Sequence, residues 1–173
     1  LSDSMRSSMS EVRALTKVLR NNIDGVNDGM SFGSTTKPTS FAQLISEEEE
    51  RLSRLNRSPV VEVKGEEFAP EFPQEILEPI AAITTEACLN AVKYSPPGAE
   101  IVISVRPHMG WTVITITNPV AKPTSKNTEM SSGIGMSSMN RIAATMDARL
   151  DTDLESGKWE LNLFLPPSAH KRR

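Results

Sequence analysis

Apolar residues recur along the chain at two different spacings, and the alternation between them predicts the order of elements. Met5, Met9, Val12, Leu15 and Leu19 form a narrow stripe at steps of three and four. Such a stripe fits a helix packed on a single partner helix. A second helical face is Phe41, Leu44, Ile45, Leu52 and Leu55, opened by a capping pair, Ser40 and Gln43. A third runs from Ile76 to Tyr94, with Ile76, Ile80, Ile83, Ala87 and Ala91 as its apolar arc. Pro79 is expected in its first turn, where proline is tolerated. A fourth spans Gly135 to Met146, with Met139, Ile142, Ala143 and Met146 on one face.

Strand signals fall between the helices. Ser58–Lys64 (SPVVEVK) reads as one strand. Glu100–Arg106 and Trp111–Thr117 alternate apolar and polar, as a hairpin turning at His108-Met109-Gly110. Arg149–Leu154 and Trp159–Leu165 form another hairpin across Ser156-Gly157. Without a regular βαβ repeat, this order predicts a two-layer α/β sandwich, with helices on one face of a mixed sheet and a helical segment ahead of it. Residues 24–38 form a linker rich in Gly, Ser, Thr and Asn, and Pro119–Ser132 is a polar loop without apolar rhythm. The chain therefore divides into a helix at 1–23, the linker at 24–38, a domain at 39–168 and a tail at 169–173, with fraying expected from Pro166 onward.

Composition narrows the picture by exclusion. A formal charge of −3 offers no footprint for nucleic acid. One cysteine, Cys88, excludes an internal disulfide and reads as a small core residue. One Cys and two His are too few for structural zinc. The run Glu47–Glu50 points all round a helix and reads as a solvated face. The chain begins at Leu1, as a piece cut from a longer protein would.

Candidate chemistry sits on the third helix. Glu86, Asn90 and Lys93 line up beside its apolar arc at steps of four and three. An amide oxygen suits Mg²⁺, an ammonium suits phosphate, and a carboxylate can orient a hydroxyl or water. Taken alone, that row is an ordinary polar margin. Ser132-Gly133-Ile134-Gly135-Met136 precedes the fourth helix, and glycines there let backbone N–H groups approach an anion. Alone, that pattern is an ordinary turn.

In this order, however, ITTEACLNAVKYS closely resembles the asparagine box of histidine-kinase ATPase domains. SSGIGMSSMNRIAATM resembles that family's second glycine box, with Arg141 one position early, and GKWELNLFLP resembles its last strand. SEVRALTKVLR is similar to the end of the dimerisation helix pair in the nitrate-sensor-like, actinobacterial-type branch. FAQLISEEEERLSRLNRSPVVEVKGE is similar to the domain's first helix and strand. The resemblance covers nearly the whole chain and implies the Bergerat ATPase fold.

It also implies a function: binding ATP with Mg²⁺ and passing the γ-phosphoryl group to a histidine on an upstream dimerisation domain. Asn90 would hold Mg²⁺, and Glu86 would orient the γ-phosphate or attacking group. Lys93 would approach the phosphates and Tyr94 would line the nucleotide. Ser132, Gly133, Ile134, Gly135 and Met136 would wrap the triphosphate. The implied partners are the parent's own dimerisation domain, as a homodimer, and a response regulator. The implied location is a cytoplasmic domain of a parent at the bacterial inner membrane, any membrane contact being made upstream.

The sequence departs from the family where an Asp followed by glycines accepts the adenine amine. Here Asn118-Pro119-Val120 follows the strand. A neutral amide can still accept that bond, or turn and donate to a purine carbonyl, which implies looser selection against GTP. Met146-Asp147-Ala148 likewise replaces paired glycines. Two other readings fit the same fold: a nucleotide-free interaction module, and a serine kinase that restrains a sigma factor.

Overall fold

The computed structural model describes residues 37–65, 68–121 and 134–170. The expected helix at Met5–Leu19, nearly all of the linker, most of the polar loop after Pro119, and Ser132 and Gly133 lie outside them.

Among the described residues, three α-helices and five strands follow in the order α1 (Phe41–Arg54), β1 (Ser58–Val63), α2 (Gln74–Tyr94), β2 (Glu100–His108), β3 (Trp111–Pro119), α3 (Ile134–Ala144), β4 (Arg149–Glu155) and β5 (Lys158–Leu165). The strands form one sheet in the order β1-β2-β3-β5-β4. β1 runs parallel to β2, a pairing that needs a crossover, which α2 supplies. The other pairs are antiparallel. Both hairpin turns use two residues at positive φ: Met109 and Gly110 at 51° and 83°, and Ser156 and Gly157 at 53° and 75°. That geometry matches the right-handed twist of the flanking strands.

Alternation along β2, β3 and β5 sends one row of side chains toward the helices. Ile101, Ile103 and Val105 on β2 are buried with Ile114 and Ile116 on β3 and Leu161, Leu163 and Leu165 on β5. They meet Ile80, Ile83, Ala87 and Ala91 from α2, Leu44 and Leu52 from α1, and Met139, Ile142 and Ala143 from α3. Each such Ile or Leu contributes roughly 1.5–3 kcal/mol by leaving water. Thus the mixed α/β architecture follows the apolar periodicity element by element.

Helix ends show where local chemistry sets boundaries. Ser40 caps α1 by accepting from the Gln43 N–H at 3.1 Å. The Gln43 side chain reaches back one residue further than a capping box requires, taking the Thr39 N–H at 2.9 Å. At the other end Asn56 adopts a positive φ of 56°, and the Arg57 N–H bonds Leu52 O at 3.0 Å. α3 closes the same way, with Asp147 at φ 53° and the Ala148 N–H on Ala143 O at 3.0 Å. A non-glycine therefore fills the left-handed position that glycine usually takes.

Three expectations are corrected. α2 begins at Gln74, two residues before Ile76, so Pro79 lies beyond the first turn, inside the helix. Glu48 is buried rather than solvated: its Oε1 accepts from Arg51 Nη1 and from Thr85 Oγ1 on α2. The charged run therefore turns one carboxylate inward, where Arg51 pairs its charge. The chain after Pro166 is not frayed as far as His170. Pro167–Ala169 forms a 3₁₀ turn and Ala169 is buried. His170 stacks on Phe72 with ring centroids 5.0 Å apart, and Phe72 meets Phe41 edge-on at 5.4 Å. Cys88 is buried as expected, and burial pushes its thiol well above its ordinary pKa.

Candidate functional site

The polar row on α2 survives folding as a row. Glu86 and Asn90 are half-buried beside the fully buried Ala87 and Ala91, and Lys93 is exposed one turn on. Burial pushes the Glu86 carboxyl above its ordinary range, and the nearby Lys93 ammonium pulls it part of the way back. Lys93 Nζ lies 5.1 Å from the centre of the Tyr94 ring. No described residue makes a hydrogen bond to the Asn90 side chain, whose amide oxygen is an acceptor.

The second motif is brought against the first. Ile134 opens α3 and Gly135 follows in its first turn. A Cβ added at Gly135 would stand 3.0 Å from Glu86 Oε1. A side chain there would press on the carboxylate, so glycine lets it lie close to the first turn of α3. Helix N-termini carry partial positive charge, so the carboxylate occupies ground that suits an anion. Met136 is half-buried and packs against the main core. Ser132, Gly133 and the side chain of Ile134 lie outside the described residues.

The third contribution comes from the end of β3. Asn118 is 1% exposed. Its Nδ2 donates to Pro119 O at 3.0 Å, while its Oδ1 is buried without a partner. An unpaired buried acceptor costs about 1–3 kcal/mol, so it asks for an explanation. Beyond it the chain is pinned back to α2, the Ala121 N–H bonding Tyr94 O at 3.0 Å. α2 therefore adjoins the end of β3 through Tyr94 and the start of α3 at Glu86, where a Cβ on Gly135, 49 positions on in sequence, would meet the carboxylate.

One positioning residue had no distinctive sequence signal. Arg57, between α1 and β1, donates to Val92 O at 2.8 Å, Ser95 O at 3.1 Å and Ser95 Oγ at 2.9 Å. It thus satisfies carbonyls at the α2 C-terminus, where a cation is also favoured by the helix dipole. That end carries Lys93 and Tyr94.

No family model matches the chain, and no curated protein matches it. Solved structures do. The catalytic domain of histidine kinase ThkA superposes with a TM-score of 0.59 at 15% identity, over 74% of this chain and 94% of that one. The histidine kinase domain of the Erythrobacter litoralis EL346 blue-light activated kinase gives 0.62 at 14% identity, over 93% and 75%. Full-length ShkA in complex with AMPPNP gives 0.62 at 14% identity, over 98% of this chain and 36% of that one. The chain has the fold of histidine-kinase catalytic domains.

Proposed function

We propose that this chain carries the ATP-binding catalytic domain of a two-component sensor histidine kinase. It would transfer the γ-phosphoryl group of ATP to a histidine on an upstream dimerisation domain, from which a response regulator receives it. The observation that carries the reading is the convergence of Glu86 with Gly135, because it joins the two motifs that the sequence resemblance rests on. The shared fold and the AMPPNP bound to ShkA support it.

The residues present suit Mg²⁺ and a nucleotide. Asn90 offers an amide that no described residue bonds, Asn118 an unpaired acceptor, and Gly135 a position without a side chain beside Glu86. Among the described residues no cluster of three or more His, Cys, Asp or Glu could hold a metal ion. Mg²⁺ would be held by the Asn90 amide oxygen with phosphate and water oxygens, oxygen being the ligand this ion prefers. When bound it supplies neutralisation of phosphate charge. Lys93 adds a second positive charge, and Tyr94 flanks the nucleotide. Gly133 and Gly135 would let the chain wrap the triphosphate, with Ser132, Ile134 and Met136 as neighbours. Glu86, its carboxyl raised by burial, is suited to orient the attacking imidazole or share its proton. Catalysis is then mainly positioning and charge neutralisation.

The acceptor histidine is expected outside this chain. His108 stands at the β2–β3 turn, and His170 is engaged by Thr112 and Phe72. Incubated alone with γ-labelled ATP, the 173-residue chain should gain no phosphohistidine. Joined to the upstream helices of its parent, it should gain an acid-labile label, which Glu86→Gln slows while sparing ATP affinity. Acid-labile label on His108 or His170 of the isolated chain would overturn the assignment of roles.

A further inference from the structure

The end of α2 lacks the backbone donors that the next residues of a chain can usually offer. A helix leaves its last carbonyls without partners of its own, and other groups must satisfy them. Here Pro96 and Pro97 follow the Ser95 cap, and neither has an N–H. In a continued helix, residue 96 would have served Val92 O and residue 97 would have served Lys93 O. Pro96 also favours the extended backbone seen at Ser95, with ψ at 153°, so the helix stops there.

Arg57 supplies the missing donors from another part of the fold. Its Nη2 donates to Val92 O at 2.8 Å and to Ser95 O at 3.1 Å, and its Nε donates to Ser95 Oγ at 2.9 Å. The guanidinium is also anchored on its own side, where Nη1 donates to Leu55 O at 3.1 Å and to Asn56 O at 3.0 Å. One planar group therefore ties the end of α1 to the end of α2. Further along the same turn, the Ala121 N–H holds Tyr94 O at 3.0 Å. Lys93 thus lies between two carbonyls, those of Val92 and Tyr94, each held from elsewhere in the fold. Its ammonium is near enough to Glu86 to pull that carboxyl back toward its ordinary range.

We propose that Arg57 is a positioning residue for phosphate binding: by replacing the donor that Pro96 cannot supply, it holds the last turn of α2, and with it the Lys93 ammonium, beside Glu86. The proposal rests on the nucleotide reading above and extends it to a residue outside both motifs. A lysine at this position would keep the charge but not the planar fork, so charge alone does not replace it.

Isothermal titration of ATP and of adenosine tests it in four proteins: the native chain, Arg57→Lys, Lys93→Ala and the double variant, each well below its melting temperature. Arg57→Lys should weaken ATP about tenfold and leave adenosine unchanged, and in the Lys93→Ala background it should weaken ATP no further, since residues that act through one another are not additive. Should Arg57→Lys not fold, Ser95→Ala, which removes only the bond to Nε, should show the same pattern at smaller amplitude. An equal loss of ATP affinity with and without Lys93, an equal loss of ATP and adenosine, or a lower melting temperature with ATP affinity unchanged would overturn the proposal. Arg57 would then serve the fold alone, and the nucleotide reading would stand. If the native chain binds no ATP, that reading fails and the proposal falls with it.

Discussion

The two ends of β3 treat a buried polar side chain in opposite ways. Thr112 and Asn118 lie on the same strand, and both are almost wholly buried, at 0% and 1% exposure. At the first end Thr112 Oγ1 meets His170 Nε2 at 2.6 Å, and the ring's Nδ1 lies 3.2 Å from Pro167 O. The C-terminal segment thereby closes over the start of the strand, and Phe72 and Phe41 continue the contact to α1. At the other end Asn118 Oδ1 has no partner. A satisfied buried polar group serves the fold, whereas an unsatisfied one lowers stability unless something else completes it. The contrast sets a scaffold position beside a candidate site position on a single strand. Glu48 Oε2 is a second unpaired buried atom, but its carboxylate already has Arg51 and Thr85 on the other oxygen.

Exchanging these side chains for apolar ones should split the two properties. Asn118→Leu removes the unpaired acceptor and should weaken ATP binding about tenfold or more, as loss of a specific buried hydrogen bond does. Stability should stay near native, since removing an unsatisfied polar atom offsets the lost bond to Pro119. His170→Ala should act the other way, costing about 1–2 kcal/mol through the lost stack and hydrogen bond, with ATP affinity unchanged. Thr112→Val should cost about 1 kcal/mol, again without effect on ATP. Urea unfolding and nucleotide titration on the same samples decide it. If Thr112→Val or His170→Ala shifts ATP affinity as much as Asn118→Leu does, the two ends are not distinct.

Subtler changes probe the contact between α2 and α3. Gly135→Ala places a Cβ 3.0 Å from Glu86 Oε1, which must give by a few tenths of an ångström. Alanine otherwise favours a helix by about 0.5–1 kcal/mol. Stability should therefore change little while phosphotransfer slows, and unchanged transfer would show that the Glu86 position is unimportant. The smallest effect concerns protonation. Because burial raises the Glu86 carboxyl above its ordinary range, ionising it in the folded protein opposes folding. The native chain should lose stability relative to Glu86→Gln as pH rises from below the ordinary carboxylate range through the raised value. Melting curves at several pH values would show this, and a gap that widens toward acid would reverse the sign.

Most of the architecture was legible in the sequence because burial enforces periodicity. Ile80, Ile83, Ala87 and Ala91 on α2 and the alternating Ile101, Ile103 and Val105 on β2 are buried where the spacing put them. Turns at Met109-Gly110 and Ser156-Gly157 were visible because two-residue hairpins ask for positive φ. What escaped were pairings between distant polar residues, for which periodicity carries no information. Glu48 turns inward because Thr85 and Arg51 meet it, 37 and 3 residues away. Arg57 caps a helix that begins well after it, and His170 holds a strand 58 residues before it. The candidate site was legible through Glu86, Asn90 and Gly135 because their spacing forms motifs. The unpaired oxygen of Asn118 was not, since it depends on where neighbouring N–H groups are spent.

The central proposal is that α2, α3 and the end of β3 form a Mg-ATP site, and titration of ATP with and without Mg²⁺ tests it most directly. The native chain should bind ATP saturably and more tightly with Mg²⁺. Asn90→Ala should abolish that difference, lowering affinity for Mg-ATP by about tenfold or more while leaving adenosine binding intact. No binding of ATP by the native chain, or equal loss of Mg-ATP and adenosine in Asn90→Ala, would contradict the claim.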